Sequence, residues 1–371
     1  MHQKYKNLIW MTAENPLQQI WMMIKSLRSS SVCKSMLEVK YRDNPTKEDI
    51  LTSKAHGVSF LIQNACDYFE VATANNSTQR LLNLYYGTLS FMEAEILANS
   101  NDFKSLDDIE HITKQGHGLY SISNEIKKVG DIGVGILGKG RGLFPTWLYS
   151  RGKTIDDLPS KRASTLEAPY TYSFMSLLSS IPELEQLIQG VEHDYHAGFF
   201  RPVYIMESKV NPTFNLDVPK EGSYIALYDY SETTSIEDAK ALNGSLDRFE
   251  PYDNKDKVRA YKVLIKHLPG EYWWEKVNTH KSAFCDNTIL KPLLKDIDDW
   301  EVYAVMILYC VSILVRYNPS IWRKIQHGEW DGYSAIFDQF AMVVERVIPN
   351  IFYERITGNK LNIKMPGSLG V

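Results

Sequence analysis

The sequence predicts an α+β protein: a helical core, made of an antiparallel helical hairpin and C-terminal helices, with a β-rich middle segment. Three observations predict it. Residues 46–99 and 298–348 carry apolar residues at helical spacing over long stretches. Residues 199–278 are instead rich in aromatic and β-branched residues, in short runs separated by Asn-Pro, Pro-Lys-Glu-Gly and Leu-Pro-Gly. Helices and strands are therefore segregated along the chain, the order that gives α+β rather than alternating α/β. With 371 residues, 44% hydrophobic and 23% charged, the chain can bury a sizeable core.

Residues 1–45 read as an N-terminal helical arm. Leu17, Ile20, Trp21, Ile24 and Leu27 recur at helical spacing, and a serine-rich turn follows at 29–31. Asn44-Pro45-Thr46 ends the arm, with Thr46 as the candidate cap of the next helix. That helix, 46–74, places Ala55, Val58, Leu61, Ile62, Ala65, Phe69 and Ala72 on one side. Asn75-Asn76-Ser77 breaks it, and Ser77 is the candidate cap of a helix over 78–99 that is apolar nearly all round and so belongs in a core. A break this short between long helices predicts the hairpin.

Residues 116–150 are glycine-rich and read as a short β-hairpin with 138–142 near its turn. Helix resumes over 173–189, with Pro182 near a start or a kink, so 46–195 forms a helical region with a glycine-rich hairpin. The β-rich region, 196–280, offers FFRPVYIMESKV, SYIALYDY, VRAYKVLI and EYWWEKV as strands. The C-terminal helical region, 281–371, reads as helices over 288–294, 298–317, 320–325 and 333–348, the long one ended by Asn318-Pro319. The regions are also compatible with one integrated domain. The apolar run from Val302 to Val315 has 14 residues, short of the roughly 20 that span a membrane, and is expected to be a buried core helix.

A net charge of -4 argues against a strongly basic nucleic-acid protein, though not against a local basic groove. Cys33, Cys66, Cys285 and Cys310 are widely spaced and form no CxxC, as expected of reduced thiols in a cytoplasmic protein. The N-terminal residues contain no apolar run long enough for a signal peptide, and no membrane association is expected.

The candidate chemistry is scattered. Gly133-Val134-Gly135-Ile136-Leu137-Gly138 matches GxGxxG, but the polar residues before it and Pro145 after it do not suit a dinucleotide fold. The same loop, with Lys139 and Arg141, could instead bring backbone N–H groups and charge to a phosphate. Lys127, Lys128, Arg151 and Lys153 make 125–153 locally basic, the expected route to nucleic acid if there is one. His117, between glycines, has room to approach a ligand and titrates near neutrality. His193 and His196 have the spacing of two metal ligands on a helical turn, but no further ligand is nearby and no metal site is expected. Glu207 and Lys209 form the ExK half of a PD-(D/E)xK nuclease on one strand face. No GxSxG or P-loop occurs, and the sequence identifies no cofactor. The 22 tyrosines and Trp273-Trp274 suggest aromatic core or interface surfaces.

The phrases YYGTLSFMEAEILA (85–98), GHGL (116–119), GRGLF (140–144), IPEL (181–184) and LYCVSILVRYNPSIW (308–322), in this order, resemble the bacterial YaaC-like proteins over about 55–355. The resemblance implies a soluble prokaryotic protein and carries little chemistry. The helix bearing Tyr-Tyr-Gly followed by His-Gly is also similar to the HEPN helical domains of toxins and defence proteins. Nuclease members of that group have Arg, then four to six intervening residues, then His, a motif absent here, where Arg323 and His327 have only three residues between them. An equivalent pair would have to be assembled from His117 with Arg80, Arg141 or Arg316. The expected function is that of a binding or assembly component, non-catalytic or weakly catalytic, in a nucleic-acid-related or anti-phage process, with a protein partner or a second copy. The alternatives are a HEPN-like or metal-dependent nuclease and a nucleotide sensor.

Overall fold

The fold is that of a computed structural model describing residues 7–44, 46–73, 76–123, 126–138, 142–153, 155, 157–208, 222–232, 246–255, 257–268, 270–294 and 297–364. It is α+β, and the chain forms two compact units, 1–173 with 305–371, and 174–304.

The first unit starts with β1 (Asn7–Thr12), α1 (Pro16–Ser26) and α2 (Ser30–Lys40). Pro16 sits at the first helical position of α1, where its missing N–H is not needed, and the Asn15 side chain accepts from Gln18 N at 3.1 Å. The hairpin follows: α3 (Glu48–Ala72) packs on α4 (Ser77–Asn99). Its cap is Asn76, which accepts from Gln79 N at 3.1 Å, and not Ser77, whose hydroxyl donates to Asp338. The other end of α4 is closed by a buried cation. Lys54, 1% exposed, donates to Leu97 O, Ser100 O and the Tyr41 hydroxyl, so its charge meets the carbonyl end of the helix dipole. Burial pulls its pKa down to about 8.

Then come α5 (Leu106–Lys114), β2 (Leu119–Ile122), β3 (Gly133–Ile136), α6 (Leu143–Ser150) and β4 (Thr171–Ser173). β2, β3 and β4 form an antiparallel sheet in that order. The turn between β2 and β3 therefore comes before Gly133 and not at 138–142, of which 139–141 lie outside the described residues.

The second unit opens with α7 (Phe174–Ser179), a 3₁₀ turn at Pro182–Leu184 and α8 (Glu185–Val191), so the helix expected over 173–189 is broken at Pro182. Five strands follow: β5 (Phe199–Ser208), β6 (Gly222–Tyr228), β7 (Leu246–Pro251), β8 (Ala260–Lys266) and β9 (Ile289–Leu290). They form an antiparallel sheet, β7-β8-β6-β5-β9, over a core including Phe200, Ile225, Leu227, Val263, Ile265 and Trp273. EYWWEKV is not a strand. The Glu275 carboxylate accepts from Tyr272 N at 3.1 Å and closes a 3₁₀ turn that buries Trp273 and exposes Trp274. The helix expected at 288–294 is also absent: Ile289 and Leu290 pair with Phe200 and Phe199, and Pro292 disfavours helix before it.

The boundary between the units falls within α9 (Trp300–Tyr317). This helix is long and apolar enough to cross a membrane, yet 78% of it is buried inside the protein. The chain ends in the first unit with α10 (Pro319–His327), α11 (Ser334–Thr357) and β10 (Asn359–Lys364). α11 runs through Pro349, beyond its expected end at 348, because Phe352, Tyr353 and Ile356 keep burying apolar surface past it. β10 pairs in parallel with β1, from Asn7 opposite Asn359 to Thr12 opposite Lys364.

Candidate functional site

Two glycine-rich phrases meet at the candidate site. The first turn of a helix has N–H groups with no partner inside the helix. In α6 these go to the segment Gly116-His117-Gly118: Leu143 N donates to Gly116 O at 3.0 Å and Phe144 N to His117 O at 2.9 Å. Leu137 N, just after β3, donates to Gly118 O at 2.9 Å. Gly142 makes this approach attainable. Its φ is +116°, and a Cβ there would lie 2.0 Å from Gly116 O. The Gly116-His117-Gly118 backbone is thus fixed by three hydrogen bonds, one to each residue, from later in the chain.

The imidazole lies among aromatic rings, 5.8 Å from Tyr85 and 5.9 Å from Tyr309 between centroids. Its Nδ1 is buried and has no hydrogen-bond partner among the described residues. Burial, and then the charge of Arg316, hold its pKa below the usual histidine value, so it is neutral at pH 7.

A cavity of about 420 Å³ opens here, lined by His117, Ser121, Arg162, Tyr309, Ile313, Arg316 and Tyr317. Four of these belong to α9. Tyr309, Ile313, Arg316 and Tyr317 are four, seven and eight positions along, so they share one face. Arg316 is half-buried and held in place: Nε donates to Ser312 O at 3.0 Å, Nη2 to the Ser312 hydroxyl at 3.2 Å and Nη1 to the Tyr86 hydroxyl at 3.1 Å. Its guanidinium also lies 5.1 Å from the Tyr317 ring centroid. None of these partners is anionic. Arg162 brings a second, exposed guanidinium, and no carboxylate is among the described residues that line the cavity. Burial pushes the Tyr309 phenol up to about 12 against the opposing charges of Arg162 and Arg316, so it remains a proton donor. The cavity therefore has an excess of positive charge, fixed donors and flat rings, a combination suited to an anion that carries a planar group.

Of the residues singled out in the sequence, His117 and Arg316 come together here. Arg80 does not join them: its Nε and Nη2 bind Glu345 Oε1 and Oε2 at 2.7 and 2.6 Å, a bidentate pair that ties α4 to α11. Glu207 lies in β5 opposite Ser223. Lys139, Arg141 and Lys209 lie outside the described residues. The GxGxxG segment forms β3 in an antiparallel sheet, with Gly133 and Gly135 making room for Leu166 and Tyr120, so no dinucleotide fold is built on it. His193 and His196 are exposed in a non-helical stretch. Sequence reasoning missed Arg162, Ser121 and Tyr309. The α9 stripe was a signal for Tyr309, because three polar or aromatic groups recur on one face of an otherwise aliphatic helix; Arg162 sits in a loop with no periodicity to mark it.

The sequence matches the YaaC-like protein family over residues 25–356, a span that includes every residue lining the cavity. No curated protein and no solved structure matches the chain significantly. The likeness to HEPN domains finds no support in these comparisons. The chain belongs to the YaaC-like protein family.

Proposed function

We propose that this protein is a binding component whose cavity takes a phosphate-bearing ligand with a flat ring, of the nucleotide class, free or at the end of a strand. One observation carries the reading: Arg316 and Arg162 line one tyrosine-rich cavity with no carboxylate among the lining residues. An arginine held half-buried by partners that, among the described residues, are all neutral keeps its charge uncompensated until an anion arrives. Arg316 is pre-positioned for that anion by Ser312 and Tyr86, which lowers the ordering cost of binding. The tyrosine rings offer stacking, which is tolerant of base identity.

The test is calorimetric titration of the full chain with nucleoside mono-, di- and triphosphates and with a short single-stranded RNA. Binding is expected for at least one of them. Arg162→Gln and Arg316→Gln should each weaken it at least tenfold, about 1.4 kcal/mol. A panel with no binding, or binding indifferent to both substitutions, would overturn the reading.

The juxtaposition of His117 and Arg316 favours a second reading, RNA cleavage. A neutral imidazole can accept the proton of a ribose hydroxyl, and a neighbouring guanidinium can stabilise the charge that develops on phosphorus. Loss of RNase activity in His117→Ala, with ligand binding retained, is its signature.

A further inference from the structure

We propose that Glu183, His280 and Cys285, in the second unit, bind a zinc ion. No local motif marks these residues. Glu183 sits in the 3₁₀ turn Pro182–Leu184, about a hundred residues before the other two. His280 and Cys285 share a loop closed by paired backbone hydrogen bonds between His280 and Thr288, each 2.9 Å. Within it, Ser282 N donates to Cys285 O at 3.4 Å and Phe284 N to the Ser282 hydroxyl at 3.1 Å, so the loop turns back and brings the thiol towards the imidazole. One donor atom from each of Glu183, His280 and Cys285 lies within 4.8 Å of the others.

The site is already organised. His280 Nε2 and Glu183 Oε1 are 2.6 Å apart, and the imidazole lies flat on the Trp300 indole, at 5.0 Å and 3°. The Glu183 side chain is fully buried and the His280 side chain 6% exposed. The second carboxylate oxygen, Glu183 Oε2, is buried and has no well-formed hydrogen bond among the described residues, and the Ser282 hydroxyl and the Cys285 thiol interact with the same carboxylate from beside it. A buried carboxylate oxygen without a well-formed hydrogen bond is costly, and a cation between the three groups would satisfy it.

The donor set selects the metal. Thiolate, imidazole and carboxylate together suit zinc, whereas calcium and magnesium take oxygen alone. Thiolate and carboxylate each bring one negative charge, which neutralises a divalent ion in a buried site. Bond lengths of about 2.0–2.3 Å in a tetrahedron put donor atoms about 3.5 Å apart. Closure thus needs the Glu183–His280 contact to open by roughly an ångström, with Cys285 Sγ, already within 4.8 Å of both, settling at the same spacing. Binding expels the thiol proton to solvent as the sulfur–zinc bond forms. Three protein ligands leave the fourth position to water or to a donor from a ligand.

Elemental analysis of the full chain, purified without chelators or a histidine tag, should find about one zinc per chain. After removal by a chelator, titration of the folded apoprotein with cobalt(II) should produce sulfur-to-cobalt charge-transfer absorption and tetrahedral d–d bands. Cys285→Ser, a near-isosteric change, should abolish the charge-transfer band, and His280→Gln should lower zinc content severalfold. A wild-type apoprotein that is folded by circular dichroism but binds neither zinc nor cobalt would overturn the proposal. So would full zinc content in folded Cys285→Ser and His280→Gln.

Discussion

The carboxylates of α4 show how the same residue type takes different roles from its surroundings. Glu95, with its side chain 2% exposed, accepts from Arg151 Nε and Nη2 at 2.9 and 2.7 Å and from Trp147 Nε1 at 2.8 Å. Arg151 also lies 3.8 Å from the Trp147 ring centroid. Removing one member of such a pair leaves a buried charge uncompensated, so Glu95→Ala should cost about 3–5 kcal/mol in urea unfolding. Glu93 is different. Burial raises its pKa from 4.5 to about 7, against the Thr113 hydroxyl bond that lowers it. Its folded pKa lies above its unfolded one, so the stability linked to its proton is present below pH 4.5 and is lost as pH rises through 7. The loss amounts to about 3 kcal/mol. Glu93→Gln should therefore flatten the fall in melting temperature between pH 5 and about 8. Neither role was legible in the sequence, where both residues sit in an apolar helix without a partner nearby. His117 stood out because glycines flank it; its partner Arg316 stood out only as a candidate among other arginines.

At the scale of elements, the long helices were legible because burial repeats at 3.6 residues over many turns. The misread pieces were short. EYWWEKV has the composition of a strand but carries a Glu three residues after Tyr272 that closes a 3₁₀ turn. β9 has only two residues, held by partners far away in sequence. β1 fell inside a stretch read as helical because its pairing partner is β10. The cavity was legible in parts, since GHGL and GRGLF were both visible as phrases, but nothing in the sequence showed that Gly142 docks on Gly116. That contact gives a test: Gly142→Ala must take both a positive φ and a clash with Gly116 O. It should destabilise the first unit by about 1–3 kcal/mol, read as a lower denaturation midpoint. Because the displaced segment carries His117, it should also weaken ligand binding more than an equally destabilising core substitution does.

For the whole molecule, a net charge of -4 surrounds a cavity with two guanidiniums. Long polyanions feel the whole chain, whereas a small anion feels the cavity. Affinity for a mononucleotide should fall severalfold between about 50 mM and about 500 mM salt. Lengthening the ligand from a few nucleotides to about twenty should add little. A steep gain with length in fluorescence anisotropy would point instead to an extended basic track. The segregated order of helices and strands announced an α+β chain. The division into 1–173 with 305–371 and 174–304 was not legible, because its boundaries fall at Ser173 and within α9, where no linker composition marks them.

The pairing of β1 with β10 also bears on how the chain is made. The two strands stand about 350 residues apart in sequence, and a ribosome adds about 5–20 residues per second. For tens of seconds after β1 emerges, its partner does not yet exist, and its backbone N–H and C=O groups form an open edge carrying Leu8 and Trp10. A nascent chain stalled before residue 359 would keep that edge indefinitely. Early chain termination should then produce aggregation rather than a soluble fragment, even when both helices of the hairpin are complete.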